Sequence, residues 1–269
     1  MMQIQLNNRA LLKLSGNDAE SFLQAQLSND ITKLDEYGVQ LSAYCQHQGK
    51  ILALFWVMRQ GGDFLLSFPL DLLDAILPRL RMFVLMSDVI IEDIGSEFIQ
   101  IGHIDTIPDN VHVINQRLAV EIVESNNASN IEFSDKGEWD RVCIETGLAE
   151  VVQETSEKFV PQMLNLDIDE VGVNFTKGCY PGQEVVARLH YLGKAKRRLF
   201  SFKSEVALTI GDLLYCESSK SARASGVVVS QVKCEAEFLC LATLEVAHKD
   251  DLITLNSADG AVLTRIEHE

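Results

Sequence analysis

The chain has 269 residues, 47% hydrophobic and 23% charged, with a formal net charge of -16; that length supports a full core and, because single cores stop growing near about 250–300 residues, two folding units. The acidic balance argues against broad nonspecific binding to nucleic acid, which neutralises phosphates with Lys and Arg, and no apolar run approaches the roughly 20 residues that cross a bilayer. Six cysteines (45, 143, 179, 216, 234 and 240) occur without a Cys-x-x-Cys pair, which predicts reduced thiols, no disulfide framework and no permanent cysteine-ligated metal.

The opening MMQIQLNNRA has neither a basic start nor an apolar signal core, which predicts a cytoplasmic protein with no membrane partner. Alternation over 4–14 predicts a strand, and Ser15-Gly16-Asn17-Asp18 supplies capping chemistry for a helix to about Leu27. Apolar runs at 39–45, 51–58 and 64–68, joined through Gln48-Gly49 and Gly61-Gly62, read as an antiparallel meander. Pro69 suits the first turn of a helix through Leu80, which Pro78 should end or kink. Strand-like pieces follow at 88–92, 98–104 and 117–124, the polar run 125–130 reads as a loop, and Asp135 to Thr146 reads as a helix closed by Gly147. Beyond Gly193, short β-type segments at 197–203, 212–216, 225–233, 237–244, 251–255 and 261–266 predict a small barrel.

The stretch Lys177-Gly178-Cys179-Tyr180-Pro181-Gly182-Gln183-Glu184 puts one cysteine in a glycine-flanked, positively charged turn at the start of a predicted helix. A thiol there is open to attack, and Lys177, Arg188 and the helix's partial positive charge favour its thiolate; the competing reading of Cys179 is a small buried hydrophobe. Gly178 and Gly182 would permit a tight backbone path. Gln183 and Glu184 either brace the loop through backbone amides or are plain helix-start residues, and Tyr180 packs on the loop or on a ligand. Lys177, Arg188, Lys194, Lys196, Arg197 and Arg198 crowd into a segment whose one acid is Glu184, which suits an anionic ligand or a solvated face. His190 is a candidate neighbour of the thiol, against exposed or core placement.

The KGCYPGQE stretch resembles the motif of the YgfZ family, folate-binding relatives of the glycine-cleavage T-protein associated with iron-sulfur cluster maintenance and tRNA modification. Phe159-Val160-Pro161-Gln162 with Leu164-Asn165-Leu166, then Val186-Ala187-Arg188 and Lys196-Arg197, continue the resemblance on either side. Leu14-Ser15-Gly16-Asn17-Asp18-Ala19 with Phe22-Leu23-Gln24 and Gln26, and Tyr44-Cys45 with Gly49-Lys50, extend it to the N-terminal half. The resemblance implies an α+β fold: a T-protein-like folate-binding body of two interwoven subdomains around a central cavity over 1–195, and a C-terminal antiparallel β-barrel over 196–269. It also implies tetrahydrofolate or a derivative as cofactor, and Trp139 as a wall of the folate site, where an indole can stack on a pterin; the competing reading is a core tryptophan. Where the family carries a second folate-contacting tryptophan, this chain has Arg9, which either stacks or pairs with a glutamate tail or is an exposed strand-end residue.

The T-protein's acidic pair is matched here by Leu52 and Ala53, neither of which can accept a proton, so aminomethyl transfer is expected to be absent. The resulting expectation is a folate-binding accessory protein whose partners are iron-sulfur clients such as tRNA-thiolating enzymes, with Cys179 as its reactive thiol. A folate-dependent one-carbon transferase using other groups, and a direct RNA-binding module built on the 194–198 basic run, are the alternatives; the net charge disfavours direct tRNA binding.

Overall fold

The computed structural model describes residues 2–128, 131–219 and 224–267. The chain opens with β1 (Met2–Gln5), β2 (Arg9–Ser15), α1 (Ala19–Gln26), β3 (Gln40–Cys45), β4 (Ile51–Gln60), β5 (Asp63–Pro69), α2 (Leu73–Met82) and β6 (Ile90–Asp93). It continues through β7 (Phe98–Ile104), β8 (His112–Val113), β9 (Leu118–Glu124), α3 (Lys136–Glu145) and α4 (Gln183–Leu192). The last section is all strand apart from one 3-10 turn: β10 (Arg197–Ser204), β11 (Leu213–Cys216), β12 (Gly226–Cys234), β13 (Glu237–Glu245), β14 (Ile253–Leu255) and β15 (Val262–Ile266).

The fold is α+β. A five-stranded sheet runs β3-β4-β5-β2-β6, a four-stranded sheet runs β1-β7-β9-β8, and β10-β13-β12-β11-β14-β15 close into an antiparallel barrel. The body is interwoven because β1 pairs with β7 while β2 pairs with β5 and β6. The single strand suggested by alternation over 4–14 is therefore two, broken by a turn at Asn7-Asn8 that sends Ile4 and Ala10 to different clusters. Periodicity continues through this turn, so pattern alone does not reveal the change of sheet.

β4 is buried on both faces: Phe55 and Val57 pack with α1 and α2 residues such as Leu23 and Leu80, while Trp56 and Met58 face Ile4, Leu118 and Trp139. That position between two layers explains its unbroken apolar run. Pro78 lies inside α2 without ending it at Leu80. Pro78 and Asp74, the residue whose carbonyl loses its N–H partner, are both exposed, so the lost bond falls on the solvent side of the helix and not in the core. The polar run at 125–130 starts as a 3-10 turn over Ser125–Ala128, and 129–130 lie outside the described residues. α3 ends at Gly147, whose φ of +70° makes the turn out of the helix.

The barrel's inner face carries Phe202, Val228, Cys240, Ala242 and Leu244. Its outer residues Leu199, Val229, Val232 and Leu241 join Ile51, Leu54, Ile144, Leu164 and Val186 of the body. A shift in register between Val228 and Ser230 lets adjacent valines enter these two different clusters. Burying one such Val or Leu contributes about 1.5–3 kcal/mol relative to exposure, so this seam fixes the barrel against the body.

Candidate functional site

Cys179 is exposed on the connection leading into α4. The helix cap is Gly182, with φ +83°, and the first turn begins at Gln183; the thiol therefore precedes the helix start rather than occupying it. Lys177 fixes this connection. Its buried Nζ donates to the carbonyls of Gln24, Leu27 and Asn29 at 2.7, 2.6 and 2.8 Å, which uses all three ammonium protons. Two of these carbonyls lie at the C-terminal end of α1, where backbone oxygens lack intrahelical partners and the helix dipole favours a cation. Burial pushes the Lys177 ammonium down to about 8, with the Asp30 carboxylate opposing.

The expected role of Lys177 is thereby corrected. Its charge is held against α1, and the residue positions the turn instead of presenting a cation to a ligand. Tyr180 packs on the same joint: it is buried, its ring centroid lies 5.4 Å from Lys177 Nζ, and burial raises its phenol pKa, with Cys45 adding to the shift.

The two motif glycines differ. A Cβ on Gly182 would stand 2.6 Å from the Gln46 carbonyl oxygen and 2.7 Å from Gly49 Cα, so the start of α4 packs backbone against backbone on the β3–β4 turn. Both glycines have left-handed φ, +83° and +76°. At Gly178, by contrast, φ lies outside that region and a Cβ would meet nothing within 4 Å, so the expected tight path is absent there. Of the bracing expected of Gln183 and Glu184, Gln183 supplies one long bond, its Nε2 donating to the Gly178 carbonyl at 3.4 Å, whereas Glu184 is exposed with no hydrogen bond among the described residues.

The basic patch also divides on folding. Arg198 is held by both oxygens of Asp167 and by the Gln162 carbonyl, and Arg197 donates to Glu245 at 3.1 Å and to the Ala224 carbonyl at 2.9 Å. Arg188, Lys194 and Lys196 are exposed and have no ion pair among the described residues. His190 stacks on Phe175, centroids 3.7 Å apart, in the last turn of α4, at the opposite end of the helix from the motif.

A second constellation surrounds Arg9. This residue is buried, contrary to an exposed strand end, and its guanidinium sits 3.4 Å from the centroid of Trp56. Nε donates to Ser67 Oγ at 2.7 Å, Nη1 pairs with Glu150, and Ser67 donates onward to Gln100. Gln100 Nε2 returns to the carbonyls of Arg9 and Ala10 at 3.3 and 3.2 Å. Burial lowers the guanidinium pKa to about 9, and Nη2 has no partner among the described residues. Trp139 is buried 6.1 Å from Trp56, and its indole lies over Gly102, where a Cβ would be 2.5 Å from the ring.

A cavity of 140 Å³ opens beside this cluster, lined by Trp139, Lys136, Asp140, Cys143, Glu150 and Ser230 among others. Asn8 and Val152 also line an adjoining, more open cavity of 450 Å³ that reaches Pro69, Leu70 and Asp71. Burial raises the Asp140 carboxyl pKa against the pull of Lys136, and burial pushes the Cys143 thiol up to about 12. Ser230 Oγ is buried without a partner among the described residues. No group of three or more His, Cys, Asp or Glu able to hold a metal ion occurs among them.

No protein-family model matches the chain. It is 30% identical to an uncharacterized protein of Haemophilus influenzae over 85% of its length and 84% of that protein. It is 27% identical to the tRNA-modifying protein YgfZ of Colwellia psychrerythraea, covering 96% of this chain and 89% of the relative. The YgfZ protein of Yersinia pestis matches at 27% identity over 86% of the chain and 80% of the relative. The chain belongs to the YgfZ family. The glycine cleavage system aminomethyltransferase T of Bartonella henselae superposes on this YgfZ-family chain with a TM-score of 0.74 at 13% identity, over 98% of this chain and 84% of that one; the T-protein fold is shared.

The YgfZ motif drew the sequence reading toward Cys179, and Trp56, Ser67, Gln100 and Glu150 were missed. Trp56 sits in an apolar run whose two faces are both buried, so alternation gave it no distinction. Glu150 did carry a signal: it is an acid inside the apolar Leu148-Ala149-Glu150-Val151-Val152, and it is half-buried, where a carboxylate gains from a charged partner.

Proposed function

We propose that this YgfZ-family chain is a folate-binding accessory protein of the cytoplasm that supports assembly or repair of iron-sulfur proteins. Enzymes that thiolate tRNA are among its clients, and it acts on tRNA modification through them. The observation that carries this reading is the exposed Cys179 thiol on a turn braced by the three Lys177 bonds and by the Gly182–Gly49 backbone contact. A reachable thiol on a fixed support suits ligation of a transient cluster or thiol exchange. The name of the relatives, tRNA-modifying protein, supports the tRNA end of the proposal.

The folate part rests on the Arg9–Trp139 region within a body proposed to span 1–195, with the barrel over 196–269 as a separate unit. The residues fit such a ligand in kind: an indole wall, the carboxyls of Asp140 and Glu150 for the N–H edge of a pterin, and an orphaned Arg9 Nη2. The 140 Å³ cavity is below the roughly 300 Å³ of ordinary ligand pockets, so it would take the ring end only, with the rest over the adjoining cavity at Asn8 and Val152. Bound tetrahydrofolate would supply a one-carbon carrier; the protein's part is to bind and orient it. Leu52 and Ala53 are buried in β4, and purified protein is expected to form no methylenetetrahydrofolate from an aminomethyl donor.

The test replaces Cys179 by Ala and by Ser and measures activity of an iron-sulfur tRNA-thiolating enzyme in cells. Loss of activity with an unchanged urea midpoint is expected; full activity in both variants refutes the thiol role. Tetrahydrofolate is expected to quench tryptophan fluorescence saturably, and the absence of a saturable change removes the folate part.

A further inference from the structure

The barrel supplies part of the wall of the 140 Å³ cavity. Ser230 and Gln231 of β12 line it together with Lys136, Trp139, Asp140 and Glu150 of the body. The charged side chains there are paired within the protein, Lys136 with Asp140 and Glu150 with Arg9. The Ser230 hydroxyl oxygen is buried and has no hydrogen-bond partner among the described residues.

Ser230 faces the body because of an irregularity in β12. Val228 pairs with Ala242 and Ser230 with Leu241, so Val229 is an extra residue in the ladder. Strict alternation from Val228 would turn Ser230 into the barrel interior, among Phe202, Val228 and Leu244. The bulge instead sets Ser230 on the face it shares with Leu241 and Val232, both of which pack against the body. Val232 fixes where that face stands: its Cγ2 lies 3.8 Å from the place a Cβ on Gly137 would take, in the first turn of α3 beside Lys136. One inserted residue thus brings a hydroxyl to a polar cavity and away from a hydrocarbon interior. A buried hydroxyl without a bond costs free energy; at a cavity wall, a molecule held in the cavity can supply the bond.

We infer that Ser230 is a ligand-binding residue: its hydroxyl hydrogen-bonds the polar heterocycle held in this cavity, so that barrel and body grip one ligand together. The inference rests on the folate reading of the cavity and adds to it a contact from outside the body over 1–195. A hydroxyl both donates and accepts, whereas an ionised carboxylate only accepts. Ser230 can therefore serve a ring carbonyl, which the carboxylates of Asp140 and Glu150 cannot.

Calorimetric titration of the full chain with tetrahydrofolate, kept reduced, tests this in wild type, Ser230→Ala and Ser230→Leu. Ser230→Ala is expected to weaken saturable binding about three- to tenfold, the range of one neutral hydrogen bond. Its urea midpoint without ligand should be unchanged or raised, because no internal bond is lost. Ser230→Leu, whose added carbons would fill the cavity, is expected to abolish saturable binding while circular dichroism shows it folded. Equal affinity in Ser230→Ala and wild type overturns this inference alone, whatever Ser230→Leu does, since the barrel is then a wall without a contact. A lowered urea midpoint in Ser230→Ala makes the hydroxyl structural and overturns it as well, and wild-type binding by a folded Ser230→Leu places the ligand elsewhere. Absence of saturable binding to the wild type overturns both the inference and the folate reading.

Discussion

Gly182→Ala separates a backbone requirement from an incidental glycine. The new Cβ would lie 2.6 Å from Gln46 O, 2.7 Å from Gly49 Cα and 2.8 Å from Gly49 N, all backbone atoms that no side-chain rotation can move. Left-handed backbone at φ +83° costs a non-glycine residue about 1–2 kcal/mol. Overpacking adds about 1–3 kcal/mol, and the stiffer unfolded chain returns about 0.4–1 kcal/mol. The net loss is about 2–4 kcal/mol near the middle of these ranges, which lowers a urea midpoint by about 0.7–4 M at a slope of about 1–3 kcal/mol/M. Gly178→Ala, whose Cβ meets nothing within 4 Å, should stay within about 0.5 kcal/mol of wild type. Equal losses in the two variants, or a loss below about 1 kcal/mol in Gly182→Ala, refute the packing of α4's start on the β3–β4 turn.

Lys177→Met strands the carbonyls of Gln24, Leu27 and Asn29; a loss of about 2–4 kcal/mol in urea unfolding is expected, together with a changed rate of Cys179 alkylation, and an unchanged midpoint contradicts the clamp. Burial raises the thiols of Cys45, Cys143 and Cys240 from 9.0 to about 12. Below pH 9 they are protonated in both states and pH has no effect through them; between about 9 and 12 only the unfolded chain ionises, so stability falls by about 1.4 kcal/mol per thiol per pH unit. Cys240→Ala should therefore show a shallower alkaline decline than wild type by that amount, and parallel declines between pH 9 and 10.5 refute burial of this thiol.

The sequence by itself determined the local elements. All six barrel strands, the β3–β4–β5 meander, α3 with its stop at Gly147 and the entry into α4 follow from alternation, turn chemistry and capping, which act over a few residues. The motif likewise singled out Cys179, and its exposure follows from side chains missing nearby. Tertiary structure decided everything that depends on which distant backbone stands opposite a residue. Lys177 reads as a cation next to a thiol until the end of α1 and the turn after it, some 150 residues earlier, offer it three carbonyls. Gly178 and Gly182 look alike in sequence, and only the approach of Gly49 distinguishes them. Arg9 reads as a strand end until Trp56, Ser67 and Glu150 enclose it. Hydrogen-bond partners and close backbone contacts are properties of pairs, and the spacing along one chain does not encode which pairs the fold will form.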